Sequence, residues 1–262
     1  MALEHSEFLR LASLGFGIGA YGTLIGSGGG SVLVPALMLL MPALEPARIT
    51  AISLAVVFFN AYAGTLAYLR MGRVDIRSGL LFTVAGAPGA IIGTLLIRQL
   101  PRGLFSVVLG CLLIGMGTWL FSSPRMPHID DAPDSRSTPT PRDNLLGSVG
   151  SAYIAVLSSL LGIGGGVIHV PFLIRALRMP AHVATATSHF VLMFMALTAT
   201  MTHYCLGELN DDWSATTSLA VGVMMGAPIG AMLSTRLYGT VIVRCLSIGL
   251  CMAGARMLLS AS

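Results

Sequence analysis

Long apolar runs alternate with short polar breaks along the chain, and six of the runs have the length of a membrane-crossing helix. The hydrocarbon core of a bilayer takes about 20 apolar helical residues. Five runs meet that requirement cleanly, at 49–69, 78–97, 103–122, 184–206 and 213–235. A sixth, 240–259, carries Arg244 and Arg256 near its two ends, where arginine snorkels to the interface. Two further uncharged stretches, 11–44 and 145–174, are too long for one span and too short for two. Each is broken in its middle by glycine, GSGGGSVLVPAL at 26–37 and GIGGGVIHVPFL at 162–173. Such a run predicts a re-entrant hairpin that descends to mid-membrane, turns at the glycines and returns as a half-length helix. Glycine serves that turn because it accepts positive φ and lets backbone approach backbone. Irregular backbone at such depth is tolerated only where protein or a wet cavity surrounds it.

The two glycine motifs share seven of twelve positions at an offset of 136, and the correspondence continues beyond them. Thr50-Ala51-Ile52-Ser53 matches Thr185-Ala186-Thr187-Ser188, Gly72 matches Gly207, and Gly86-Ala87-Pro88 matches Gly226-Ala227-Pro228. The chain therefore reads as one unit duplicated. The expected fold is an all-α polytopic membrane protein of eight segments, each repeat holding one glycine-broken hairpin and three transmembrane helices. The first repeat covers 1–121 and the second 144–262, joined by a polar linker at 122–143. Because a repeat with an odd number of crossings returns on the other side, the second half is expected in inverted topology. Gly222, Gly226 and Gly230, like Gly89 and Gly93, have the small-residue spacing that lets membrane helices approach.

Composition supports the membrane reading and narrows the chemistry. Apolar residues make up 55% and charged residues only 10%, against about 25% charged in soluble domains. All fifteen basic residues are arginine. Ten of them fall on the side that holds the loop at 70–77, the linker, the segment 175–183 and the loop at 236–244, which predicts that side to be cytoplasmic and both termini to face outward. No basic groove with interleaved aromatics suggests nucleic acid. Cys111, Cys205, Cys245 and Cys251 lack CxxC spacing and are expected as packed small side chains. The start, MALEHSEFLR, is acidic before its apolar run and shows no cleavage site, so no removed signal peptide is expected. His128 with Asp130 and Asp131 in the linker reads as a solvated loop rather than a metal site.

Candidate chemistry gathers around the hairpins. No Asp or Glu lies near the middle of a predicted span, which disfavours a carboxylate proton relay or a cation path and suits a small anion. A half-helix beginning just after the glycines aims free amides and a positive dipole end into the membrane, an anion site that needs no lysine or arginine. Pro35 and Pro171 fit the first turn of such a helix if it begins a few residues after the glycines. Candidate substrate-binding residues are therefore Ser27, Gly28, Gly29, Gly30 and Ser31 in the first hairpin and Gly164, Gly165, Gly166 and His169 in the second. Ser53 and Asn60, seven apart on one helix face, and Thr187, Ser188 and His189 on the counterpart helix complete the set. Helix capping is the structural alternative for Ser53 and Ser188, and hydrogen bonding within the core for Asn60, His169 and His189. His203 is expected at the outer interface. The GxGxxG match at Gly17–Gly22 has no preceding strand, and no catalytic spacing or cofactor motif is present, so an enzyme is not expected.

The paired GxGGGxxxxP hairpins, the TAxS helix start, the glycine turn after the next span and the GAP motif resemble the sulfite exporter TauE/SafE family of membrane transporters. The resemblance covers nearly the whole chain except the linker. It implies a multi-pass protein of the bacterial inner membrane that exports or exchanges sulfite, an organosulfonate or a related small anion. An uncoupled anion channel, or a non-transport assembly factor or enzyme, are the alternatives, and homo-oligomerisation is left open.

Overall fold

A computed structural model describes residues 5–122, 141–210, 212–234 and 239–259, and all of its regular structure is helical. The expected linker falls almost wholly outside the described residues, and with it His128, Asp130 and Asp131. Ten helices follow in order among the described residues. They are α1 (His5–Ile25), α2 (Gly30–Leu40), α3 (Pro46–Arg70), α4 (Ile76–Ile97), α5 (Arg102–Ser122), α6 (Pro141–Leu161), α7 (Gly166–Ala176), α8 (Ala181–Cys205), α9 (Trp213–Leu233) and α10 (Gly239–Leu259).

The six spans predicted from hydropathy are α3, α4, α5, α8, α9 and α10, each matched to within a few residues. Local chemistry sets their ends. Pro46 occupies the first turn of α3, where its missing amide costs nothing. The Asp75 carboxylate caps α4, accepting the Ser78 amide at 3.2 Å and the Ser78 hydroxyl at 2.7 Å. Gly72 and Gly207, at equivalent positions after α3 and α8, take φ of 66° and 79° and stop those helices alike.

Each glycine-broken run forms two unequal arms. The return helices α2 and α7 have 11 residues each, or about 16 Å, half a crossing as expected. The first arms α1 and α6 have 21 residues each and are long enough to cross a bilayer, longer than a descent to mid-membrane requires. The uncharged runs begin only at 11 and 145, whereas both helices begin earlier, in the polar segments at His5 and Pro141. Pro35 and Pro171 also differ from expectation. Since α2 and α7 start at Gly30 and Gly166, each proline lies in the second turn and removes the amide that would bond the carbonyl of Ser31 or Val167.

Helices of one half pack mainly on helices of the other: α1 along α9, α4 along α6, α5 along α10 and α3 along α8. The glycine series make the first two of these contacts close. Gly222, Gly226 and Gly230 lie on the backbone of Ala12, Phe16 and Ala20, so α1 and α9 run parallel. Gly89 and Gly93 lie on Ala152 and Val156, the equivalent parallel pair. Equivalent helices meet head to tail. Val57 clusters with Leu192 and Tyr68 with Ala186, which makes α3 and α8 antiparallel. Gly110 meets Gly254 and Gly117 meets Ser247, which does the same for α5 and α10. Two copies of one unit related by an axis across the helices pack in this way.

The outer surface carries many exposed large apolar side chains, among them Val84, Leu145, Tyr153 and Met252, as a lipid-facing surface requires. Cys111 and Cys205 belong to that exposed surface rather than to the core, and Cys251 is half-buried. The side chain of Cys245 lies outside the described residues.

Candidate functional site

The two glycine turns meet. A β-carbon on Gly30 would lie 2.6 Å from the carbonyl carbon and oxygen of Ile163, and one on Gly166 would lie 2.3 Å from the Gly26 carbonyl oxygen. Only hydrogen at these positions lets the turns stack back to back. Gly26, Gly28, Gly29, Gly162, Gly164 and Gly165 take φ between 69° and 83°, a region L side chains enter at a cost of roughly 1–2 kcal/mol. Gly28 and Gly164 each face Val57 and Leu192, near the midpoints of the 25-residue helices α3 and α8. The N-termini of α2 and α7 therefore lie together at the centre of the bundle.

The predicted polar residues divide into two groups. Those of the first group are held by the protein itself. The Ser27 hydroxyl donates to the Gly22 carbonyl and accepts the Gly29 amide, both at 3.4 Å, inside its own turn. Ser53, well inside α3 rather than at its cap, donates to the Gly162 carbonyl at 2.6 Å and fastens the second turn to the first half. Thr187 accepts the Asp75 amide at 3.0 Å, so it ties the α3–α4 loop and does not face the turns' meeting point through its hydroxyl. His169 is bonded at both ring nitrogens, Nε2 lying 3.0 Å from the Ser151 hydroxyl and Nδ1 3.3 Å from that of Ser188. The Phe82 edge and the stacked Phe172 ring complete its surroundings. This is the geometry of a hydrogen-bonded core histidine, and Ser188 lies in it inside α8 rather than at a helix cap.

Ser31, Asn60 and His189 form the second group. All three are essentially fully buried. Asn60 accepts a hydrogen bond from the Thr23 hydroxyl at 3.1 Å, but its Nδ2 has no partner among the described residues, nor has the Ser31 hydroxyl or either ring nitrogen of His189. Buried polar atoms are nearly always paired, because an unmet one keeps its full desolvation cost. Thr23, Gly64 and Tyr68 are not among the residues expected from sequence, and they pack against Asn60 and His189. The signal for the last two was present: Asn60, Gly64 and Tyr68 are four apart and extend the helix face that begins at Ser53.

Two other features lie apart from the turns. A groove of about 480 Å³ between α5 and α7 is almost wholly apolar, with Arg175 stacked 4.3 Å above the Trp119 ring, and none of the predicted site residues lines it. On the face where α3 and α9 begin, Arg48 pairs with Asp212 at 2.7 Å and Arg98 with Glu208 at 3.3 Å. His203, expected at the interface, is buried there with its Nδ1 against the Glu208 carboxylate.

A family model described as sulfite exporter TauE/SafE matches residues 11–257. A probable membrane transporter protein YunE of Bacillus subtilis is 31% identical over 269 residues, covering 96% of this chain and 97% of that protein. A probable membrane transporter protein of Xylella fastidiosa strain Temecula1 is 28% identical over 232 residues, 86% of this chain and 82% of its own. Another from Sinorhizobium fredii is 25% identical over 235 residues, at 88% and 90% coverage. No solved structure matches the chain.

Proposed function

The chain belongs to the sulfite exporter TauE/SafE family, is a multi-pass bacterial membrane transporter protein, and we propose that it carries a small oxyanion, sulfite or an organosulfonate, across the inner membrane by alternating access. The observation that carries this reading is the meeting of two half-helix N-termini at the bundle centre, beside buried polar side chains that have no partner among the described residues. Helix N-termini favour negative charge through their free amides and dipole, and discontinuous helices in repeat-built transporters use those ends to hold anions near the midplane. The glycine turns lie beside the midpoints of α3 and α8, which puts the ends at that depth if those helices span the bilayer. Antiparallel packing of equivalent helices supports inverted halves, the construction that lets one repeat rock against the other. Arg70 at the end of α3, Arg73 in the following loop and Arg77 at the start of α4 lie on the side we assign to the cytoplasm, where they would gather anions at the entrance.

Reconstitution tests the reading directly. Purified protein in liposomes should show saturable flux of sulfite, and trapped unlabelled anion should drive uptake of label, the counterflow that a carrier shows and a channel does not. Flux without counterflow would make the protein a channel. Absence of flux for sulfite, methanesulfonate and taurine, with and without a pH gradient, would remove the transport assignment for these anions.

A further inference from the structure

Resting on that reading, we propose that the substrate is held on one side only of the centre, in a pocket of Asn60, His189 and Thr23 walled by Gly64 and roofed by Tyr68, and that it is a singly charged oxyanion. Four observations lead there.

Unpaired donors are the first. Asn60 Nδ2 brings two N–H groups, and whichever tautomer His189 adopts brings one more and an acceptor. The Thr23 hydroxyl holds Asn60 Oδ1, so the amide group is the end left to meet a ligand.

Enclosure is the second. The Tyr68 hydroxyl donates to the Thr23 carbonyl at 2.9 Å, and its ring stands edge-on to His189 with centroids 5.6 Å apart. Tyr68 stands in the last turn of α3, two residues before Arg70. The pocket thus adjoins the end of α3 that carries the arginines, with Tyr68 between.

Third is the glycine at position 64. A β-carbon there would lie 2.8 Å from His189 Cδ2 and 3.0 Å from Thr23 Cγ2. Gly64 is needed for His189 to stand where it does.

The fourth is the failure of the duplication at these positions. By the offset of 135 that relates α3 to α8, the counterparts of Asn60, Gly64 and His189 are Met195, Ala199 and Leu54. Those three belong to one buried apolar cluster. Thr23 and Tyr68 have polar counterparts, Ser159 and His203, but the positions that carry the unmet donors and the glycine beside them do not, so this donor set exists once.

The donor set also selects charge. It contains neutral donors and no Asp, Glu, Lys or Arg, so it can replace the hydration of one negative charge far better than of two, since the cost of dehydrating an ion rises with the square of its charge. A sulfonate or hydrogen sulfite fits, and sulfate does not.

Counterflow in proteoliposomes tests this with methanesulfonate, which is a monoanion at every working pH, and sulfate, a dianion. Wild-type protein should exchange methanesulfonate saturably and sulfate at least roughly tenfold less well. Gly64→Ala and Asn60→Asp should each lower methanesulfonate exchange by about tenfold or more while eluting and melting as folded protein, whereas Ala199→Gly, at the mirrored position, should keep the wild-type KM. His189→Gln, which keeps one donor and one acceptor, should raise KM and carries the same test if Asn60→Asp does not reach the membrane. Wild-type exchange that survives unchanged in Gly64→Ala, Asn60→Asp and His189→Gln overturns the pocket and leaves the transport reading standing. Equal exchange of sulfate and methanesulfonate overturns the charge assignment. No wild-type exchange of any anion overturns both.

Discussion

The two halves of the chain carry the same glycine turn and surround it with opposite chemistry. In the second half, His169 stands in α7 where the first half has Leu33, and Ser151 stands in α6 where the first has Gly15. Together with Ser188 they close a hydrogen-bonded lock in which every ring nitrogen is met. In the first half, the polar residues lie further along the long helix, at Asn60 and Tyr68, and the histidine that reaches them, His189, comes from the other half and has no hydrogen-bond partner among the described residues. The repeated turns share one frame, while the buried polar side chains are met on one side and without partners among the described residues on the other. The backbone contacts at the turns, by contrast, are shared. That difference sorts the predictions, because changes to shared features should act equally in both halves and changes to unshared ones should not.

The largest effects are expected at the shared contact. Gly30→Val and Gly166→Val place a side chain against backbone, at 2.6 Å from the Ile163 carbonyl and 2.3 Å from the Gly26 oxygen, where no rotamer change in a neighbour can make room. Overpacking typically costs about 1–3 kcal/mol, and a backbone neighbour puts these variants at the upper end. Gly29→Val and Gly165→Val add the penalty of φ at 83° and 72°. All four should abolish flux at matched membrane levels. Full activity in both members of either pair would remove the turns from the mechanism, and full activity in one member alone would break the equivalence of the halves.

Next comes the lock. His169→Leu installs the residue of the first half and leaves the Ser151 and Ser188 hydroxyls buried without the ring. A stability loss of about 1–3 kcal/mol is expected as a lower thermal midpoint, with KM for the transported anion unchanged. Adding Ser151→Ala should restore part of the loss, since replacing both partners removes the unmet group. A raised KM in His169→Leu would instead assign His169 to the substrate and undo the division between the two sides. Smaller again is the difference between the serines of the turns. Ser53→Ala removes a 2.6 Å bond to the Gly162 carbonyl and should cost about 0.5–1.5 kcal/mol, more than Ser27→Ala, whose bonds are both 3.4 Å long.

Hydropathy and glycine spacing made the helices legible, because span length and close packing are properties of single residues at regular intervals. The duplication foretold the stacked turns only in part. That Gly30 would lie on Ile163 depends on contacts between segments 133 residues apart, which no local pattern encodes. Of the site, Asn60 and His189 were legible as polar residues in apolar runs, but so were His169, Ser53 and Thr187, which the fold pairs internally. Sequence shows that a polar group is buried; only tertiary structure shows whether it has been met. The position of Gly64 on the Asn60 face was legible, but its role was not, since that role is the space it leaves for a side chain from the other half.

The smallest expected effect concerns the loops that differ most in sequence. RMGRVDIR after α3 is basic, while LGELNDDW after α8 is acidic. The acidic loop meets arginines of the first half, through Arg48–Asp212 at 2.7 Å and Arg98–Glu208 at 3.3 Å. Positive charge is thus neutralised on one face and left in excess on the other, which accentuates the arginine asymmetry used to assign orientation. Arg48 is 30% exposed and Asp212 13%, so Asp212→Asn should cost only about 1 kcal/mol or less, and less still as salt rises. Arg98 is half exposed, and Arg98→Gln should cost less than Asp212→Asn. Thermal melts at low and high salt measure both. A loss of several kcal/mol that salt does not diminish would show that this face is held by buried charge, and that the acidic loop is a structural clamp on the first half rather than a means of balancing its charge.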